Sequence, residues 1–150
     1  MSNIFEACRN GDLPTVKAIV SENPAAVNSR DQRGFAPLVL AVYNDQEEVV
    51  KYLIEQKVVV NAQDASGNTA LMGAVFKGLK NQLSLLLAAG ADVNLQNVQK
   101  ATALTYACTF AGAEVVRILL EAGAKTNLKD AQGMTPLDHA KAKGNTEVVA

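Results

Sequence analysis

A spacing of 33 residues constrains this chain more than any other feature. Asp31, Asp64, Asn97 and Asp130 stand 33 apart, and so do Gly34, Gly67, Lys100 and Gly133. Leu38, Leu71, Leu104 and Leu137 keep the same step, as do Ala41, Ala74, Ala107 and Ala140. Asn28, Asn61, Asn94 and Asn127 close each unit. Five columns holding one period over four units mark a chain of repeated supersecondary units. A unit of that size cannot bury its apolar face alone, so its neighbours must stack on it to form one continuous core.

Residues 64–96 show one unit in full. Asp64 followed three residues later by Gly67 builds a tight turn in which glycine takes positive φ. Thr69, like Thr102 and Thr135, stands where a helix needs its N-cap. Pro37 and Pro136 occupy first helical positions, where no N–H is lost. The alanine column lets that helix approach its neighbours closely. A reversal at Gly78 leads into a second helix with Leu85, Leu86 and Leu87, matched by Ile118, Leu119 and Leu120. Gly90 and Gly123 end the second helix in the left-handed conformation.

The pattern G-x-T-P-L, then Ala three residues on, then a closing G-A-x-x-N resembles the ankyrin repeat. Here it stands as Gly133-Met134-Thr135-Pro136-Leu137 and Gly90-Ala91-Asp92-Val93-Asn94. The resemblance covers essentially the whole chain. It implies an all-α solenoid of helix-turn-helix units with hairpin-like finger loops along one edge. The chain then divides into a capping unit, 1–30, three full units, 31–63, 64–96 and 97–129, and a partial fifth, 130–150, all in one domain. The first unit lacks the Asp-Gly turn, starts its helix near Asn3 and presents Ser2, Asn3, Glu6, Arg9 and Asn10. The fifth stops a few residues into its second helix, so the C-terminal end is expected to fray or to pack against another molecule.

Composition agrees with such a core. The 150 residues are 49% hydrophobic but only 5% aromatic, with no Trp, so packing must rest on Ala, Leu and Val. A formal charge of −1 leaves no footprint for nucleic acid or an anionic membrane. The N-terminus carries charges where a signal peptide needs an apolar centre, no 18-residue apolar run exists, and no N-x-S/T acceptor occurs. A cytoplasmic protein is the expectation. Cys8 and Cys108 fall three repeat steps apart, roughly 25–30 Å at helix-packing distances, too far for a disulfide. They read as buried free thiols.

Nothing in the sequence assembles catalysis. His139, the single histidine, has no cysteine near it, and the slot after the column Leu holds Val39, Met72, Thr105 and Asp138. No clustered metal ligands and no phosphate loop appear, so no enzyme, metal or cofactor is expected. Residues 86–94 are similar to the substrate sequence of the asparagine hydroxylase that modifies ankyrin repeats, but the favoured reading of Asn94 is that it fixes its turn by side-chain hydrogen bonds. Lys57 in the C-cap slot, Lys100 in the turn-glycine slot and Ala36 in the cap slot depart from the pattern. A lysine held in the left-handed region costs roughly 1 kcal/mol.

In ankyrin-like proteins contacts usually lie on the finger tips and the inner face of the first helix. Those slots hold Arg9 and Asn10, then Gln32, Arg33, Phe35, Tyr43 and Asn44. In the third unit they hold Ala65, Ser66, Asn68, Phe76 and Lys77; in the fourth, Val98, Gln99, Ala101, Thr109 and Phe110. The fifth supplies Ala131, Gln132, Met134, Ala142 and Lys143. Four of the seven aromatics fall here, and the set contains Arg9, Arg33, Lys77 and Lys143 but no acid. All 15 acids are expected in turns, loops or second helices. The expectation is a non-enzymatic module that grips a partner protein, apolar with acidic character, through its concave face, as adaptor or inhibitor. Two other readings stand beside it. One is a self-assembling piece using the fifth unit and Val58, Val59 and Val60; the other is an engineered scaffold, which the variation between units opposes.

Overall fold

The computed structural model describes residues 3–145 and Val148. Among the described residues nine α-helices and no strands occur. Four pairs are joined by turns of two or three residues. They are α1 (Ile4–Asn10) with α2 (Leu13–Glu22), α3 (Pro37–Tyr43) with α4 (Glu47–Glu55), α5 (Ala70–Lys77) with α6 (Lys80–Ala88), and α7 (Ala103–Phe110) with α8 (Ala113–Glu121). The ninth, α9 (Pro136–Ala142), packs on α7. The first helices form one row, α1–α3–α5–α7–α9, and α2, α4 and α6 form a second behind it.

The repeated columns turn into layers of that stack. Leu38, Leu71 and Leu104 are each 2% exposed, and the alanine column is as deeply buried, so the first helices meet almost backbone to backbone. Leu53, Leu86 and Leu119, all fully buried, fill the space behind them. Leu137 is 41% exposed because no described helix stacks beyond α9. Helix starts follow their caps: the hydroxyls of Thr69, Thr102 and Thr135 accept from the N–H groups of Met72, Thr105 and Asp138. At α3 the cap slot holds Ala36, which has no side-chain acceptor to offer.

The turns that carry the fingers are built by one carboxylate or amide oxygen each. Oδ1 of Asp31 accepts from the N–H of Arg33 and Phe35, and Asp64, Asn97 and Asp130 do the same two and four residues on, at 2.9–3.1 Å. Val98 N–H donates to Ser66 O and Ala131 N–H to Gln99 O, zipping the last three fingers together. Gly67 sits in that zipper; a Cβ on it would lie 2.9 Å from Asn97 Cα.

The closing asparagines tie their units to the next rather than fixing their own turns. Oδ1 of Asn28, Asn61 and Asn94 accepts the N–H of Val59, Asp92 and Lys125, 31 residues on in the next unit. Asn94 Nδ2 also donates to Gly123 O, so its side chain serves the next unit, and its own turn is fixed instead by Asp92, whose Oδ1 accepts the Asn94 N–H. Arg30, Gln63 and Gln96 bridge a carbonyl of their own finger to one 33 residues further along.

Some expectations need correction. Glu6 lies in the first turn of α1 and Asp138 in the first turn of α9, so acids are not confined to turns, loops and second helices. Both sit at helix N-termini, where negative charge complements the exposed N–H groups. The exit from the first pair is a 3-10 turn, Pro24–Asn28. Ala101, expected at an open finger position, is only 6% exposed and offers little surface. Ser2 and most of the second helix expected in the fifth unit lie outside the described residues. Lys57 and Lys100 do hold the left-handed conformation, both at φ 60°. Cys8 and Cys108 are buried free thiols, and burial pushes them up to about 12 and about 11.

Candidate interaction surface

The face formed by the first helices and the fingers carries a short aromatic ridge. Phe76, near the end of α5, is 52% exposed, and Phe110, the last residue of α7, is 57% exposed. Their ring centroids lie 5.3 Å apart with planes at 75°. Tyr106, one turn before Phe110, stacks on it at 6.4 Å and meets Phe76 edge-on at 6.5 Å. Such geometries are favourable beyond simple burial of the rings. The Tyr106 hydroxyl accepts from Asn97 Nδ2 at 2.8 Å, and the same nitrogen donates to Asn68 Oδ1 at 2.8 Å. The ridge is therefore fixed to two fingers.

A hollow lies on each side of the ridge. One, of about 210 Å³, is lined by Tyr43, Asn68, Met72, Phe76 and Tyr106. The other, of about 450 Å³, lies between Tyr106, Phe110, Thr105 and Thr109 and the last finger. Its far wall is Asp130 with His139, whose Nε2 stands 2.6 Å from Asp130 Oδ2. Burial by itself pushes the Asp130 carboxyl up. Hydrogen bonds from His139 and from the N–H groups of Met134 and Gln132 outweigh it and hold that carboxyl below its ordinary range.

The expected contact residues divide by environment. Arg33, Ser66, Lys77, Val98 at 70% exposure, Gln99 and Lys143 are open to solvent, and the Lys143 ammonium lies 5.8 Å from the Phe110 ring centre. Arg9 is open but reaches Asp31 at 3.4 Å. Asn44 is exposed yet donates to Leu40 O and caps its own helix; Thr109 likewise donates to Thr105 O. Asn68 is held by Asn97. Phe35, Met134 and Tyr43 are half-buried. Tyr43 leans over Gly73, whose missing side chain leaves room for the ring: a Cβ there would be 3.3 Å from Tyr43 Cε2. Burial first, and then the Asp64 carboxylate and Tyr106, push the Tyr43 hydroxyl up.

Met72, Thr105 and Asp130 line the hollows without a place among the contact slots, and Tyr106, Asn97 and His139 have none either. A signal for the last three is present in the chain. Tyr106 follows Asn97 by nine residues and His139 follows Asp130 by nine, and in both pairs the later side chain bonds the finger-building one. Among the described residues no group of three or more His, Cys, Asp or Glu could hold a metal ion. No described helix is long and apolar enough to cross a membrane.

The family model described as "Ankyrin repeats (3 copies)" matches residues 4–97 and again 74–150. This chain belongs to the ankyrin-repeat family. Ankyrin repeats generally act as protein–protein interaction modules and are typically non-enzymatic. Among curated proteins the chain is similar to "BTB/POZ domain-containing protein 3" of Schizosaccharomyces pombe, 46% identical over 52 residues. It is also similar to "Alpha-latrocrustotoxin-Lt1a" of Latrodectus tredecimguttatus, 40% identical over 53 residues. Each match covers 35% of this chain but only 10% and 4% of those proteins, so the likeness is one of repeat units within much longer chains.

Proposed function

We propose that this ankyrin-repeat chain, a single domain with its units divided as 1–30, 31–63, 64–96, 97–129 and 130–150, binds a partner protein across its concave face and acts by occupying it, as adaptor or inhibitor. The observation that carries this reading is the ridge of Phe76, Tyr106 and Phe110. Two of its rings are more than half exposed, whereas Phe5 and Phe35 are half-buried, and Val98 on a neighbouring finger is open as well. Exposed aromatics on a rigid support are the residue type that dominates interface energy, and a preformed ridge loses little entropy on binding. The hollows on either side suit apolar side chains of the partner. Lys77 and Lys143 near them, with Arg9 and Arg33 at the far end of the face, favour a partner with some acidic character.

The test is a selection of displayed random peptides on the wild-type chain, repeated on Phe76→Ala/Phe110→Ala and on Tyr43→Ala/Phe76→Ala/Phe110→Ala. The double variant removes exposed rings and should keep its fold. Peptides carrying aromatic or branched aliphatic residues should be recovered by the wild type and lost by both variants. Equal recovery by a folded variant would place the binding surface elsewhere.

A further inference from the structure

We propose that the hollow between α1 and the 30–35 finger takes an extended acidic segment of the partner protein. This deepens the protein-binding reading and rests on it.

The hollow, of about 590 Å³, lies at the opposite end of the face from the aromatic ridge. Arg9, Arg30 and Arg33 line it with Asp31, a net charge of +2, although the whole chain carries −1. Asp31 does not neutralise the group effectively. Its Oδ1 is taken by the N–H groups of Arg33 and Phe35, and its Oδ2 meets Arg9 only at 3.4 Å, with the Arg9 side chain 46% exposed. Although the Asp31 side chain is only 10% exposed, a contact of that length to a half-exposed arginine is weak and leaves Arg9 able to turn to a better partner. A partner carboxylate can therefore engage Arg9 and Arg33 together. Arg30 adds field rather than a contact, because its Nη1 is committed to the carbonyls of Gly34 and Gln63.

The shape argues for an extended segment. Along the stack the last two fingers each offer an N–H to the one before, Val98 to Ser66 O and Ala131 to Gln99 O, while Ala65 of the second finger makes no such bond to Arg33 O. The counterpart in the first finger is the N–H of Gln32, and it has no hydrogen-bond partner among the described residues. No described finger lies on that side, since α1 follows directly from its cap at Asn3. A strand-like segment entering the hollow can present a backbone carbonyl to Gln32 while its carboxylates reach the arginines. A long polyanion fits worse, because the net negative remainder of the surface repels it beyond the hollow.

The experiment is an NMR titration of the ¹⁵N-labelled full chain with three probes: a hexaglutamate peptide blocked at both ends, the matching hexaglutamine peptide, and inorganic phosphate. Hexaglutamate should move the amide signals of Arg9, Gln32 and Arg33 in a saturable, salt-sensitive way. Arg9→Gln/Arg33→Gln should weaken that binding about tenfold or more while thermal unfolding shows the chain still folded. Phe76→Ala/Phe110→Ala should leave it unchanged. The proposal is overturned if hexaglutamine binds as well, if phosphate reproduces the shifts, if they spread equally to Lys77, Lys80 and Lys125, or if the arginine variant binds like wild type. Any of these leaves the aromatic ridge and its peptide selection untouched, so the two readings fail separately.

Discussion

Phe76 of α5 and Phe110 of α7 meet edge to face with centroids 5.3 Å apart, although both rings are more than half exposed. The contact joins two neighbouring helix pairs across the solvent side. It holds apolar surface in place that would otherwise be free to fold against the chain. A double-mutant cycle of Phe76→Ala and Phe110→Ala, followed by urea unfolding without partner, should give a coupling of about 0.5–1.5 kcal/mol. Simple additivity of the two variants would mean that the rings do not support one another.

Asn97 should prove the most sensitive polar residue of the face. Its Oδ1 builds the finger turn and its Nδ2 bonds both Asn68 and Tyr106. Replacing Asn97 by Ala removes all four bonds at a buried position, which should cost about 2–3 kcal/mol. Tyr106→Phe removes one and should cost about 1 kcal/mol. Equal, small losses in both would contradict the hub role of Asn97.

Lys57 and Lys100 stand at φ 60°, where glycine occupies the equivalent slots of other units. Lys57→Gly and Lys100→Gly each relieve left-handed strain and each loosen the unfolded chain. The net expectation is a gain of about 0.5 kcal/mol per site in denaturant titration. A loss at either site would show that the lysine side chain makes a stabilising contact.

The Asp130–His139 pair sets a pH dependence whose sign follows from the depressed Asp130 carboxyl. A group with a lowered folded pKa contributes stability above its unfolded value, about pH 3.9, and loses it as pH falls through the folded pKa. His139→Gln should move the Asp130 titration, followed by ¹³C NMR, up towards the ordinary range. Acid unfolding should then begin at higher pH. An unmoved carboxyl titration would assign the shift to the finger N–H groups alone.

Both thiols should be silent in the native protein. With Cys8 pushed up to about 12 and Cys108 up to about 11 by burial, neither should react with a disulfide reagent at pH 8. Two thiols should titrate after denaturation. Rapid labelling of the folded chain would show that the helix rows open locally.

The division between what is legible in the chain and what is not follows from the range of each interaction. The 33-residue period, the caps at Thr69, Thr102 and Thr135 and the Asp or Asn turn residues act within a few positions of themselves. Their spacing therefore reads directly as helix pairs and fingers. The leucine and alanine columns are legible for a related reason: stacking identical units puts equal positions into contact, so periodicity in the chain becomes adjacency in space. The ridge escapes that logic. Phe76 and Phe110 differ by 34 residues, one more than the period, and Tyr106 joins them only because α5 and α7 pack side by side. Equally, Tyr43 owes its half-burial to a glycine 30 residues away, and Arg9 meets the finger residue Asp31, 22 positions on, at 3.4 Å. Which exposed slots became a surface was decided by packing between units, where residues break the repeat and no period announces them.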